Sequence, residues 1–202
     1  MPPDRTAIID TERKGFPFDV SKFSANGNIF VSDSIGSFAR AIEAAKKKEG
    51  IRFIIIDSLY MHTLRIVEHC QKMYKGYEIW GNTGKYINSF LTQSRSTKQF
   101  FFVTDTCDAL NIVGEDGKES TQIRASTAGK MTEDKIELHF TLCLFTKVIP
   151  RLDKDTNEYK FVTMPDGYNS AKVPMTLKLP RYVNNDLWPI AKKLEESSPS
   201  GE

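Results

Sequence analysis

The chain has 202 residues, 40% of them hydrophobic and 27% charged, with a formal net charge of +2. That length supports a core of ordinary size, and the near-neutral balance excludes a partner chosen by bulk charge; any nucleic-acid surface must come from local clusters of Lys and Arg. No apolar run approaches the roughly 20 residues that span a bilayer, and the start, MPPDRTAIID, lacks the pattern of a secretory signal. A cytoplasmic protein with no membrane partner is expected.

In chain order, TAIID (6–10) is a short apolar run ending in the polar cluster TERKG, which predicts a buried strand entering a loop. NIFV (28–31) predicts a second strand. It leads into SDSIGSFARAIEAAKKK, where Ile35, Phe38, Ala39 and Ile42 recur at helical spacing and Ser32 or Asp33 is the expected N-cap. Lysines 46 to 48 suit the negative end of that helix. Gly50 breaks it, and IRFIIID (51–57), without alternation, predicts a central parallel strand covered on both faces. A helix follows Ser58 to about Lys75, GKYINSFLTQSRST (84–97) predicts another, and KQFFFVTD (98–105) a third buried strand. Strand alternating with helix implies an α/β fold with a mostly parallel sheet flanked by helices.

The last third changes character. KIELHFTLCLFTKVI alternates, with Ile136, Leu138, Phe140, Leu142 and Leu144 on one side, and EYKFVTM answers it across RLDKDTN as an antiparallel hairpin. VPMTLKL adds an edge strand between Pro174 and Pro180. NNDLWPIAKKLEE predicts an Asn-capped amphipathic helix, and residues 196–202 a disordered tail, leaving one domain over 1–195. Cys70, Cys107 and Cys143 form no C-x-x-C pair and are expected as buried free thiols. His62, His69 and His139 have no metal-ligand spacing. Asp153, Asp155 and Asn157 imitate a calcium loop, but Glu158 stands where that loop needs Gly and Met164 where it needs Glu.

Open α/β sheets bind ligands beyond the carboxyl ends of their strands. The three strongest strands end in Asp10, Thr11 and Glu12, in Asp57 and Ser58, and in Thr104, Asp105 and Thr106. An apolar strand ending in Asp has the form of a Walker B segment, whose carboxylate holds Mg²⁺ or its waters. A Glu on a neighbouring strand is placed to orient and deprotonate a water. Loops begin with polar residues in any case and apolar runs ending in Asp are common by chance, so the pattern alone favours a plain strand end.

AIIDTE, then FIIIDS, then FFFVTDT, resembles the RecA-type ATPase core in order and spacing. FVTMPDGYNSAKVP followed by VNNDLWPI resembles the C-terminal signature of phage-encoded RecA-like ATP-binding proteins, a group that includes single-strand-annealing recombinases. The matching residues are Phe161, Thr163, Asp166, Gly167, Ala171, Lys172 and Pro174, then Asn185, Asp186 and Leu187. The resemblance covers nearly the whole chain from residue 6. It implies a RecA-like fold, ATP and Mg²⁺ as cofactors, Asp57 as Walker B carboxylate and metal ligand, and Glu12 as catalytic base. It also places Asp10, Ser58, Thr104 and Asp105 on the nucleotide side, Thr104 to Thr106 at the γ-phosphate switch, and Lys172 at nucleotide or DNA.

In that family a strand, a G-x-x-x-x-G-K-[ST] loop and a helix precede the strand matched here by TAIID. The expectation is therefore a sheet lacking its first strand and phosphate loop, with a gap at its middle and ATP hydrolysis reduced or absent. WGNTGKY (80–86) does not substitute: its glycines are three apart rather than five, and Tyr86 follows Lys85 where a small hydroxyl should hold Mg²⁺. It is expected to open a helix, with Trp80 as a packing anchor.

Two classes of function follow. One is a phage-type protein of DNA recombination or single-strand annealing, binding single-stranded DNA through Arg124, Lys130, Lys147, Arg151 and Lys172, with residues 111–131 as a long polar DNA-binding loop. The other is a non-catalytic interaction protein derived from a RecA-like ATPase, acting as a homo-oligomer or on a host or phage protein. A start internal to a longer, active ATPase is a third expectation.

Overall fold

The structure, a computed structural model, describes residues 1–16, 18–95, 97–113, 117, 119–126, 128, 136–151 and 156–198. The chain divides into two compact units, Met1–Cys107 with Ala125–Asp134, and Asp108–Arg124 with Lys135–Glu202.

The first unit is a parallel sheet flanked by helices. Its strands are β1 (Thr6–Asp10), β2 (Ile29–Val31), β3 (Phe53–Asp57) and β4 (Phe100–Val103), in the order β2-β1-β3-β4. Every pairing is parallel. All five residues of β1 are buried, as are Phe53, Ile54 and Ile56 of β3. Each of these isoleucines gains about 1.5–3 kcal/mol from leaving water. The helices are α1 (Ser21–Ala25), α2 (Ile35–Lys47), α3 (Leu59–Met73) and α4 (Tyr77–Arg95). On α2, Phe38, Ala41, Ile42 and Ala45 make the buried stripe. On α3 it is Leu59, His62, Thr63, Ile66, Val67 and Cys70, and this helix packs on both α4 and α2. Gly50, at φ +80, takes the left-handed turn that carries the chain from α2 to β3.

Several expectations for this unit are corrected. The N-cap of α2 is Ser34, whose side chain accepts from the Ser37 N–H while the Ser37 side chain answers it; Ser32 is buried at the end of β2. Strand β4 is not fully buried. It forms the edge of the four-stranded sheet, half-buried throughout, and the four strands are contiguous with no gap at the middle. Helix α4 begins at Tyr77, so Gly81, Gly84 and Lys85 lie inside it rather than before it. Their amides are committed to the helix and Lys85 is exposed. Trp80 is 40% exposed, so it does not anchor packing. Cys70 is buried, Cys143 half-buried and Cys107 exposed.

In the second unit, β5 (Cys107–Val113) pairs with β6 (Glu119–Ala125), and β7 (Phe145–Pro150), β8 (Asn157–Val162) and β9 (Tyr182–Asn184) form an antiparallel sheet in the order β7-β8-β9. The hairpin is thus present, but shorter than its alternation suggests. Ile136–His139 is a 3-10 turn. Ile136 and Glu137 are both buried, which neighbouring residues of a half-buried strand cannot be, since their side chains point to opposite faces. The segment 111–131 holds the last three residues of β5 and all of β6, so its described residues are mostly strand rather than irregular loop. The edge strand is β9, not VPMTLKL. Met175–Leu177 makes a 3-10 turn that Lys178 ends in the left-handed region at φ 46. Helix α5 (Leu187–Ser197) is capped by Asp186 through the Trp188 N–H, not by Asn, and it runs two residues into the expected tail. Residues 199–202, and Asp153 and Asp155 of the imitated calcium loop, lie outside the described residues.

Candidate functional site

Parallel pairing in register sets Asp10 directly opposite Asp57. Thr104 follows Val103, the partner of Ile56, and donates its N–H to the Ile56 carbonyl at 3.0 Å. The expected strand-end residues of β1, β3 and β4 therefore meet on one edge of one sheet.

Thr11 joins the first two ends. Its N–H donates to the Asp57 carbonyl at 2.7 Å, and its hydroxyl, fully buried, accepts from the Ser58 N–H at 2.8 Å. The hydroxyl also faces the carbonyls of Asp57 and Ser58 at 2.9 and 2.8 Å. The peptide between those two residues is cis. Glu12 comes next on the chain and reaches the same place: the Ser58 hydroxyl donates to its Oε1 at 2.9 Å, and Lys14 lies 2.9 Å from its Oε2. The Lys14 ammonium first, and then the Ser58 hydroxyl, hold the Glu12 carboxyl below its ordinary pKa. Asp57 accepts from the Thr104 hydroxyl at 2.5 Å.

The other two carboxylates serve the fold. Asp10 is turned back onto its own loop, accepting from the N–H groups of Glu12 (3.0 Å) and Arg13 (2.7 Å). Asp105 accepts from the N–H groups of Tyr60 and Thr106, both at 3.0 Å, while the Thr104 carbonyl takes the Leu59 N–H at 2.9 Å. Ser58 makes no side-chain cap bond to α3, so Asp105 and Thr104 satisfy amides that the helix start would leave orphaned. One nearby cation escaped the sequence reading. Arg65, from the second turn of α3, donates to the Ser32 carbonyl at 2.6 Å and so ties α3 to the end of β2. Its helical spacing gives no sign of this contact.

The remaining candidates belong to the second unit or fall outside the described residues. Lys172 exchanges both backbone hydrogen bonds with Cys143 (2.8 and 3.0 Å). The loop before it is held by Asp166, which accepts from the Tyr168 and Asn169 N–H groups and from the Asn169 side chain. The DGYNSAK pattern thus has a local structural role. Arg124 is paired with buried Glu137 at 2.8 Å and with the Gln122 side chain at 2.8 Å. Arg151 is paired with Glu158 at 3.1 Å. Lys147 lies over the Tyr182 ring, 5.5 Å from its centre. Lys130 lies outside the described residues.

The donor set fits one half of a magnesium nucleotide. Asp57 and Glu12 are hard oxygen donors, each steadied by a hydroxyl, of the kind that hold the waters of Mg²⁺. The phosphate half does not fit among the described residues. The amides of Glu12 and Arg13 are aimed at Asp10, Lys14 is paired with Glu12, Arg13 with Asp33 at 3.7 Å, and the Gly81–Lys85 amides run within α4. A triphosphate requires a cradle of free backbone N–H groups. No grouping of three or more His, Cys, Asp and Glu among the described residues is arranged to hold a metal by itself.

No protein-family model matches the chain, and no curated protein matches it in sequence. Among the described residues, no helix is long and apolar enough to cross a membrane.

Proposed function

We propose that this chain is a RecA-like protein of DNA recombination or single-strand annealing, of the type phages encode, with ATP hydrolysis reduced or absent. The observation that carries the reading is the meeting of Glu12, Asp57, Ser58 and Thr104 at the carboxyl ends of three neighbouring parallel strands, where such folds place ligands. Bound Mg²⁺–ATP would supply an electrophilic phosphoryl group. On the protein's side, Asp57 would hold the cation's waters and Glu12, ionised at neutral pH, would accept a hydrogen bond from a water, with Ser58 and Thr104 fixing the two carboxylates. The misfit on the phosphate side supports the low hydrolysis in this reading. DNA handling then rests on binding, not on turnover.

Calorimetric titration with Mg²⁺–ATP tests the site. Weak binding that Asp57→Ala abolishes is expected, with single-strand binding retained in Glu12→Gln. Fast hydrolysis by this chain, unchanged in Glu12→Gln, would refute the assignment.

A second reading has one observation in its favour. The apolar edge strand β4, Phe-Phe-Phe-Val, is half-exposed, as a surface for another chain would be. It describes a non-catalytic interaction protein, a homo-oligomer or a subunit bound to a host or phage protein. Light scattering that shows a monomer across a wide concentration range, together with single-strand binding, would count against it.

A further inference from the structure

Within the second unit, the antiparallel sheet carries a basic and aromatic face that the strand-end site does not use. In register, Lys147 of β7 stands opposite Lys160 of β8, and Lys160 opposite Asn184 of β9; Tyr182 lies two residues before Asn184 and so on the same face. Tyr182 is 37% exposed, and two cations lie over its ring, the Lys147 ammonium at 5.5 Å and the Arg181 guanidinium at 5.7 Å from its centre.

The cations of this unit differ in how their charge is met. Arg124 is neutralised by Glu137, and Arg151 and Lys160 share Glu158. Lys147 and Arg181 have no carboxylate within ion-pair distance among the described residues, and both are exposed. Among the described residues, their one side-chain partner is the tyrosine ring. A ring holds a cation weakly at an exposed site and leaves its charge available to an anion. Uncompensated positive charge beside a partly exposed aromatic ring is the chemistry that takes an unpaired base and its flanking phosphates. A folded acidic protein would match the charge but has no need of the ring.

We propose that Tyr182, Lys147 and Arg181 form a contact site for single-stranded nucleic acid, a base stacking at the Tyr182 ring and phosphates meeting the two cations. Lys160, tied to the Asn184 side chain at 2.7 Å, positions the strand pair beneath them. The site rests on the reading of the protein as a single-strand DNA handler. It moves the contact away from Arg124 and Arg151, whose charges are already engaged.

The test is fluorescence anisotropy of labelled oligo-dT with the full chain over a range of salt. In single strands each phosphate contact contributes about 0.7 to the slope of log affinity against log salt, so Lys147→Ala/Arg181→Ala should flatten the slope by about 1.4. The charge-matched control Lys192→Ala/Lys193→Ala, on α5, should leave the slope near that of the parent. Tyr182→Ala should weaken binding about 5- to 150-fold, as loss of one stacked base does, and Tyr182→Phe should keep it. Oligo-U in place of oligo-dT reports whether the strand must be DNA, and polyglutamate should not compete at equal charge. Parent-like binding by both Tyr182→Ala and Lys147→Ala/Arg181→Ala would overturn this site while leaving single-strand binding intact. Equal competition by polyglutamate would reduce it to a patch of charge and overturn it too. Absence of oligo-dT binding by the parent at low salt would overturn both this site and the function it rests on.

Discussion

His62 gives the most quantitative test of the core. It is 2% exposed, its ring stacked on Phe38 at 3.5 Å and edge-on to Phe90 at 5.7 Å, with Nδ1 buried and unpartnered. Burial first, and the nearby Arg65 charge second, push its pKa down to about 3 from 6.5. The folded pKa is lower than the unfolded one, so on acidification the unfolded chain takes up the proton first. His62 therefore leaves stability intact above pH 6.5 and subtracts from it as pH falls toward 3. At about 1.4 kcal/mol per pH unit, the loss by pH 5 is about 2 kcal/mol. His62→Phe removes the titrating group while keeping an aromatic ring between Phe38 and Phe90. Its stability at neutral pH depends on packing and can move either way. The informative quantity is the difference in pH slope between the two proteins, which cancels all other titrations. Urea unfolding followed by far-UV circular dichroism, at half-unit steps from pH 7 to pH 4.5, measures it. Parallel stability curves for the parent and His62→Phe would show that His62 is protonated, or solvated, in the folded chain.

Three further outcomes follow from the packing and the caps. Ile56→Ala, at a fully buried position of β3, should cost about 2–5 kcal/mol in chemical denaturation, the range for deleting a buried branched side chain. Ser34→Ala removes half of the reciprocal cap of α2 and should cost about 1 kcal/mol, with little change if Ser32 were the cap instead. Glu137→Ala leaves the Arg124 guanidinium, about one quarter exposed, without its carboxylate; discounted for that exposure, a loss of about 1–3 kcal/mol is expected, and a double-mutant cycle with Arg124→Ala should show coupling.

The parallel sheet was legible because its strands are short, continuous apolar runs between polar strand ends. Thr6–Asp10, Phe53–Asp57 and Phe100–Val103 fall within the segments that hydrophobicity marks out. The carboxylate cluster was legible for the same reason, since parallel strands in register bring their carboxyl ends together. What stayed hidden depends on partners distant in sequence. Glu137 is buried because Arg124 meets it, and that contact breaks the alternation that suggested one long strand. Polar β6 pairs with β5 although its composition resembles a loop. Gly81 and Gly84 sit within α4, where nothing crowds the place of a Cβ, so their presence signals neither a turn nor a phosphate loop. Arg181 and Tyr182 carry no signal in the sequence because their meaning comes from Lys147, brought alongside by the order β7-β8-β9.

The proposed handling of single-stranded DNA is measured most directly by the annealing rate of two complementary oligonucleotides, one carrying a donor fluorophore and the other an acceptor. The parent chain should accelerate annealing at low salt without nucleotide, and the gain should fade as salt rises. An annealing rate unchanged by the protein at every salt concentration would contradict it.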